Sequence, residues 1–352
     1  MYRIMFYDHG KPLQVAASRQ TVFAESTGVL SRRMVRNIRR GVVRVSFNGE
    51  LGEGDGLIRD WFSEMATQIY NPAYAMFQYR EESEPRYTVL SPFAIHQDEF
   101  EENLRTVGRF MALAIIQRNP IKVSLPVMFF AKLMEHDVRL EDIRMVEPDL
   151  YRTLAYTMSS SDRELSELGL EIEIGGVPEL VTSENRRELV HRKINSLISA
   201  DVEVPFQLIK EGFNEVIPIE TIKGVFTPAE VKGLMFGNPT IDVEDLYRHV
   251  ELREGYTLEH QVIGWLFNYL GELDQDTLKK FLRFSTGTSQ VPFGGFANLS
   301  QPFTIKAVES PDRLPTASTC FNLLHLPRYT SEQDLRTKCH QAITGADDFG
   351  FV

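Results

Sequence analysis

The chain has 352 residues, 43% hydrophobic and 25% charged, with a formal net charge of −11. That length accommodates two or three domains and a sizeable core, while the acidic balance argues against general nucleic-acid binding, which depends on neutralising phosphates. Two cysteines, Cys320 and Cys339, are too few for a disulfide framework and point to a reducing compartment, cytosol or nucleus. The opening MYRIMFYDHGK lacks the layout of a signal peptide, and apolar stretches such as MALAII at 111–116 are far too short for a membrane span.

The first local feature is a basic run, Arg32, Arg33, Arg36, Arg39, Arg40 and Arg44. Read as a helix followed by the strand VVRVSF at 42–47, these arginines fall around Met34, Val35 and Ile38 and make a solvated face rather than a ligand patch. Residues 100–116 place Phe100, Leu104, Val107, Met111 and Ile115 on one helical face, with Asp98 and Glu101 as a predicted capping box. Helices are also predicted at 184–198, 228–236 and 259–270. The second of these has Thr227 at its N-cap, Pro228 at N1, Glu230 at N3 and Gly237 past its end. Between it and the helix around Trp265 lies the polar stretch ELREGY at 251–256, which reads as a domain boundary. Strand alternation follows at 302–308 and 321–326. A last helix starts after Thr330, with Gln333 three residues on, and carries Leu335, Cys339 and Ile343 as one stripe. Helices in the first two thirds and short strands with helices at the end predict an α+β class.

The two thiols separate on this reading. Cys339 shares a helix stripe with apolar residues and reads as an inert core hydrophobe. Cys320 follows Leu314-Pro315-Thr316-Ala317-Ser318-Thr319 and precedes a strand, so it sits at a loop-to-strand junction open to a large partner. By itself such a cysteine carries no assignment.

Its surroundings supply one. LPTASTCFNLLHLPRY resembles the active-site signature of HECT ubiquitin ligases. FSTGTSQVPFGGFANL at 284–299 resembles that family's Gly-rich segment, GELGEGDGLIRDWFSEM at 49–65 its N-terminal Gly-Arg-Glu-Trp-Phe block, and LRTVGRFMALAI at 104–115 its Val-Gly-Arg helix. VTSENRRELV at 181–190 and GYTLEHQVIGWLF at 255–267 also fit, in family order. Three positions depart from the pattern: Asp60 replaces a Glu, Ser318 stands where many members have His, and Gln290 where a basic residue is common.

The resemblance implies a bilobal fold: an N-lobe at 1–250, a flexible hinge at 251–256 centred on Glu254 and Gly255, and a C-lobe at 257–352. It implies that Cys320 carries ubiquitin as a thioester taken from an E2 conjugating enzyme and passed to a substrate lysine, with no cofactor and no metal. Thr319 and Phe349 are expected to support transfer, Phe349 by docking on the N-lobe from the apolar chain end Phe349-Gly350-Phe351-Val352. The E2 site is expected on a small subdomain at about 156–217, where Leu165, Leu168 and Leu170 lie amid acidic residues, and Tyr79 of FQYR resembles a surface that binds a second ubiquitin.

Thioester exchange needs an accessible thiolate more than a dedicated base, because an unperturbed thiol is already roughly a few per cent ionised at pH 7. Asp312, Asp347 and Asp348 are near enough in sequence to assist the incoming lysine. Two other readings stay open: a cysteine hydrolase, which would need His325 or His340 or a distant His to serve Cys320, and a catalytically silent module that only binds ubiquitin or an E2.

Overall fold

The computed structural model describes residues 12–31, 34–40, 42–50, 55–80, 87–174, 176–199, 202–238, 240–299 and 301–345. Up to residue 236 the elements are β1 (Leu13–Ala17), α1 (Val22–Thr27), α2 (Val35–Arg40), β2 (Val43–Phe47), α3 (Asp55–Ile69), β3 (Phe77–Arg80) and β4 (Tyr87–Leu90), then α4 (Phe100–Gln117), α5 (Val127–Leu133), α6 (Pro148–Ser159) and α7 (Asp162–Leu168). They continue with β5 (Glu171–Ile174), β6 (Val177–Leu180), α8 (Arg186–Ser199), α9 (Glu203–Val216), α10 (Ile219–Lys223) and α11 (Pro228–Phe236). After them come α12 (Val243–His249), β7 (Glu251–Arg253), α13 (Gln261–Glu272), α14 (Gln275–Thr286), β8 (Thr304–Val308), β9 (Thr316–Ser318), β10 (Leu323–Pro327) and α15 (Glu332–Gly345). The chain is α+β, with helices dominating the earlier part.

The main core is built around α4. Its 3.6-residue period buries Leu104, Val107, Phe110 and Met111, and α9 answers with Phe206, Ile209 and Phe213. The two helices approach backbone to backbone. A Cβ added to Gly108 would lie 2.0 Å from Ile209 O, and one added to Gly212 would lie 2.0 Å from Arg105 O. Arg109 is fully buried in this seam. Its Nε donates to Glu215 at 2.7 Å and its Nη1 to Glu102 at 2.6 Å. Losing either carboxylate would strand a buried charge. Trp61 and Phe62 of α3 stack edgewise near Phe110 in the same core.

Short sheets flank the helices. β1 pairs parallel with β2, while β3–β4 and β5–β6 are antiparallel pairs. Near the end a four-stranded sheet has the order β7-β8-β10-β9. β8 runs parallel to both β7 and β10, and β9 runs antiparallel to β10.

Hydrophobic packing divides the molecule. One cluster runs from Leu13 to Phe236 and a second from Ile241 to Ile343. A third gathers Met128, Ile143, Leu154 and Val190, and a small fourth joins Leu165, Ile172, Val181 and Leu189.

Several local expectations need correction. The cap of α11 forms as the sequence indicates, with Thr227 and Glu230 bonded reciprocally. The Asp98–Glu101 box does not form. Glu99 is the N-cap residue of α4, left-handed at φ 54 and without a side-chain cap bond. Asp98 offers only its carbonyl to Asn103, and Glu101 turns to Arg105. The last helix begins at Glu332, after Thr330 as expected, and Ser331 Oγ accepts from Asp334 N at 3.2 Å.

The stretch 251–256 is not a free connector. Glu251–Arg253 forms β7 and pairs with Thr304–Lys306. Arg328 Nη2 donates to Glu254 O at 2.9 Å, and the Tyr256 hydroxyl donates to Leu326 O and Pro327 O. Glu254 and Gly255 are a left-handed turn, at φ 57 and φ 90, leaving an edge strand. Polarity here accompanies an edge strand and the turn that leaves it. Within the expected 156–217 subdomain, α9 packs in the main core.

Candidate active site

Cys320 lies in a single 3-10 turn, Thr319–Phe321, between β9 and β10. The turn ends on Asn322, left-handed at φ 49 and 1% exposed. Asparagine tolerates this backbone better than most residues, and here every polar group of it is used. Its N–H donates to Thr319 O at 3.2 Å, and its carbonyl accepts from Thr304 N at 2.9 Å. Its Nδ2 donates to Gln301 O at 2.7 Å. A buried, fully bonded asparagine thus anchors the turn, while the thiol before it is exposed and Phe321 is 62% exposed.

Cys339 is the opposite case. It is buried on the α15 stripe with Leu335 and Ile343, and burial pushes its thiol up to about 12. It stays protonated at neutral pH and is no nucleophile.

The histidines are committed elsewhere. His325 Nε2 meets Ser318 Oγ at 3.2 Å, and His340 Nδ1 meets the Tyr269 hydroxyl at 3.2 Å. The imidazole of His325 thus contacts Ser318, two residues before the cysteine, from the adjacent strand. Asp312 is exposed, and Asp347 and Asp348, like Phe349, lie outside the described residues. Among the described residues no group of three His, Cys, Asp or Glu side chains could hold a metal ion.

The thiol also touches the main core. Gly56, in the first turn of α3, lies so near that an added Cβ would stand 2.6 Å from Cys320 Sγ. One turn on, Arg59 Nη1 donates to Thr286 O at 2.7 Å, Thr319 O at 2.9 Å and Asn322 Oδ1 at 3.1 Å. The motif block at 49–65 does not by itself reveal these contacts. The available signal was a glycine and an arginine three apart on the polar face of a helix whose other face is Trp61, Phe62 and Met65.

A family model described as "HECT-domain (ubiquitin-transferase)" matches residues 63–352, which include Cys320, its turn and the second half of α3. The chain belongs to the HECT family. Among curated HECT relatives, the E3 ubiquitin-protein ligase pub1 of Schizosaccharomyces pombe is 30% identical over 96% of this chain and 46% of its own length. The E3 ubiquitin-protein ligase HACE1 of Homo sapiens is 30% identical over 91% of this chain and 37% of its own length. The chain thus spans less than half the length of these relatives.

The HECT resemblance also assigned partner-binding positions. Leu165 is fully buried under β5–β6, so it packs the core and offers no surface. Leu170 is half-buried against the same cluster, whereas Leu168 is 45% exposed. Tyr79 is 43% exposed on β3. The three leucines do not form one groove.

Proposed function

We propose that this chain is the catalytic region of an E3 ubiquitin ligase, with Cys320 as the acceptor thiol. The carrying observation is an exposed thiol on a turn fixed by Asn322, within the segment that matches the family. The thiolate attacks the carbonyl carbon of an E2–ubiquitin thioester, and the E2 thiolate leaves with the bonding electron pair. The neutral amine of a substrate lysine then attacks the Cys320 thioester. An isopeptide bond forms, the Cys320 thiolate departs, and the amine's surplus proton passes to solvent. Thr319 contributes by fixing the turn through its carbonyl, and Phe349 by docking the chain end during the second step.

An E2, ubiquitin and a protein substrate are the partners of this reading, with no role for nucleic acid. Leu168 is the exposed leucine available to an E2, and Tyr79 is available to a second ubiquitin. The proposed setting is cytosol or nucleus; among the described residues no helix is long and apolar enough to cross a membrane. A bilobal working cycle needs a pivot between its two large clusters, which part between Phe236 and Ile241. The hydrolase alternative is not favoured, since the contacts of His325 and His340 are to Ser318 and Tyr269.

The test is to mix the chain with an activating enzyme, a panel of E2s and ubiquitin. An adduct that disappears under reducing conditions and is absent in Cys320→Ala is expected. A wild-type chain that charges from no E2 in the panel overturns the reading.

A further inference from the structure

The contact between α3 and the cysteine turn is unusual in its chemistry. The last carbonyls of a helix have no intrahelical partner and carry partial negative charge. Thr286 is the last residue of α14, and its carbonyl points at Arg59. The other two acceptors are Thr319 O, on the turn, and Asn322 Oδ1, whose amide nitrogen is tied to Gln301. A guanidinium thus meets three preset acceptors, on α14, on the turn that carries the thiol and on the asparagine that closes it. Such a socket selects one docked position.

Gly56 completes the fit. It lies one turn before Arg59 on α3, where any larger residue would strike Cys320 Sγ. With Sγ against that backbone, the side of the thiol facing α3 is closed to another protein's thioester. Asp60 and Glu64 follow on α3 and, with Glu50, share Arg19. An incoming lysine ammonium is drawn to such a face.

We infer that Arg59 is a positioning residue: it latches the cysteine turn onto α3 for discharge to lysine, and it must release for charging. The inference rests on the ubiquitin-ligase reading and adds which step the docked position serves.

Three rates test it on the full chain: modification of Cys320 by a bulky maleimide without ubiquitin, charging from a loaded E2, and discharge to free lysine. Arg59→Ala and Gly56→Ala should each speed maleimide modification and slow discharge by about tenfold, the scale of one lost charged hydrogen bond, while charging is unchanged or faster. Arg59→Lys keeps the charge but sets a shorter-reaching ammonium in place of Nη1 and should fall between. Gly56→Ala improves helix propensity, so its melting temperature shows whether a slow rate comes from misfolding. Unchanged modification and discharge in both variants overturns the latch, as does equal loss of charging and discharge. If the wild type charges with no E2, the ligase reading fails, while the maleimide rates still decide whether Arg59 latches the turn.

Discussion

Two glycine seams run through this molecule, and they differ in what lies on the far side. In the main core, Gly108 and Gly212 let α4 and α9 meet backbone to backbone, sealed by buried aromatics and by Arg109 with its two carboxylates. Between the cores, Gly56 meets a side chain, the Cys320 thiol, and Arg59 holds neutral oxygens. The first seam has no water to return to and no way to part without unfolding. The second has an exposed partner and a cation that water can solvate. The same small residue serves permanence in one place and separability in the other.

Removing the thiol should have the largest functional effect. Cys320→Ala is expected to abolish both charging and ligation while leaving the melting temperature unchanged, because the side chain is exposed; calorimetry beside the gel assay checks both halves. Filling the core seam should do the reverse. Gly212→Ala forces a methyl into Arg105 O and is expected to destabilise by roughly 3 kcal/mol. Gly56→Ala, by contrast, should leave stability intact, and urea midpoints for the two variants give the comparison directly. If Gly56→Ala proved as destabilising as Gly212→Ala, the two seams would be alike after all.

The second thiol offers a smaller effect. Cys339→Ala should cost roughly 1–2 kcal/mol by leaving a void on the α15 stripe, with ligation kept. Loss of charging in a folded Cys339→Ala sample would reassign the nucleophile. The last expectation concerns pH. The Cys339 thiol is raised to about 12 in the folded chain, against about 8.5 when unfolded. Its contribution is full below the unfolded value and is lost as pH rises from about 8.5 towards 12, because only the unfolded state then sheds the proton. Denaturant midpoints across that range should fall less steeply in Cys339→Ala than in wild type.

Periodicity and punctuation made much of this legible. The α4 face, the Thr227 cap and the α15 stripe follow from spacing alone, and the cysteine motif lies on an exposed turn. What escaped depends on distance in space. Glu254 and Gly255 look like a linker because the partners that pin them, Lys306 and Arg328, lie more than fifty residues away. Leu165 and Leu168 are three apart on a short helix, yet one is sealed and the other open, since β5–β6 covers only one side. Asp98 and Glu101 had the composition of a cap, but the left-handed Glu99 between them sets a different helix start. Arg59 could be placed on a polar face but not matched to acceptors on three other segments.

The parallel pairing of β7 with β8 has a consequence for how the chain is made. Parallel neighbours cannot close through a tight turn, and β7 must wait about fifty residues for β8, which in turn needs β10 beyond it. On a ribosome the earlier core, complete by Phe236, has every partner available while this sheet is still unfinished. Cys320 is synthesised before β10, and the turn that carries it takes shape only once β10 has emerged to pair with β8 and β9. During synthesis, the surroundings of this thiol are therefore completed well after the earlier core.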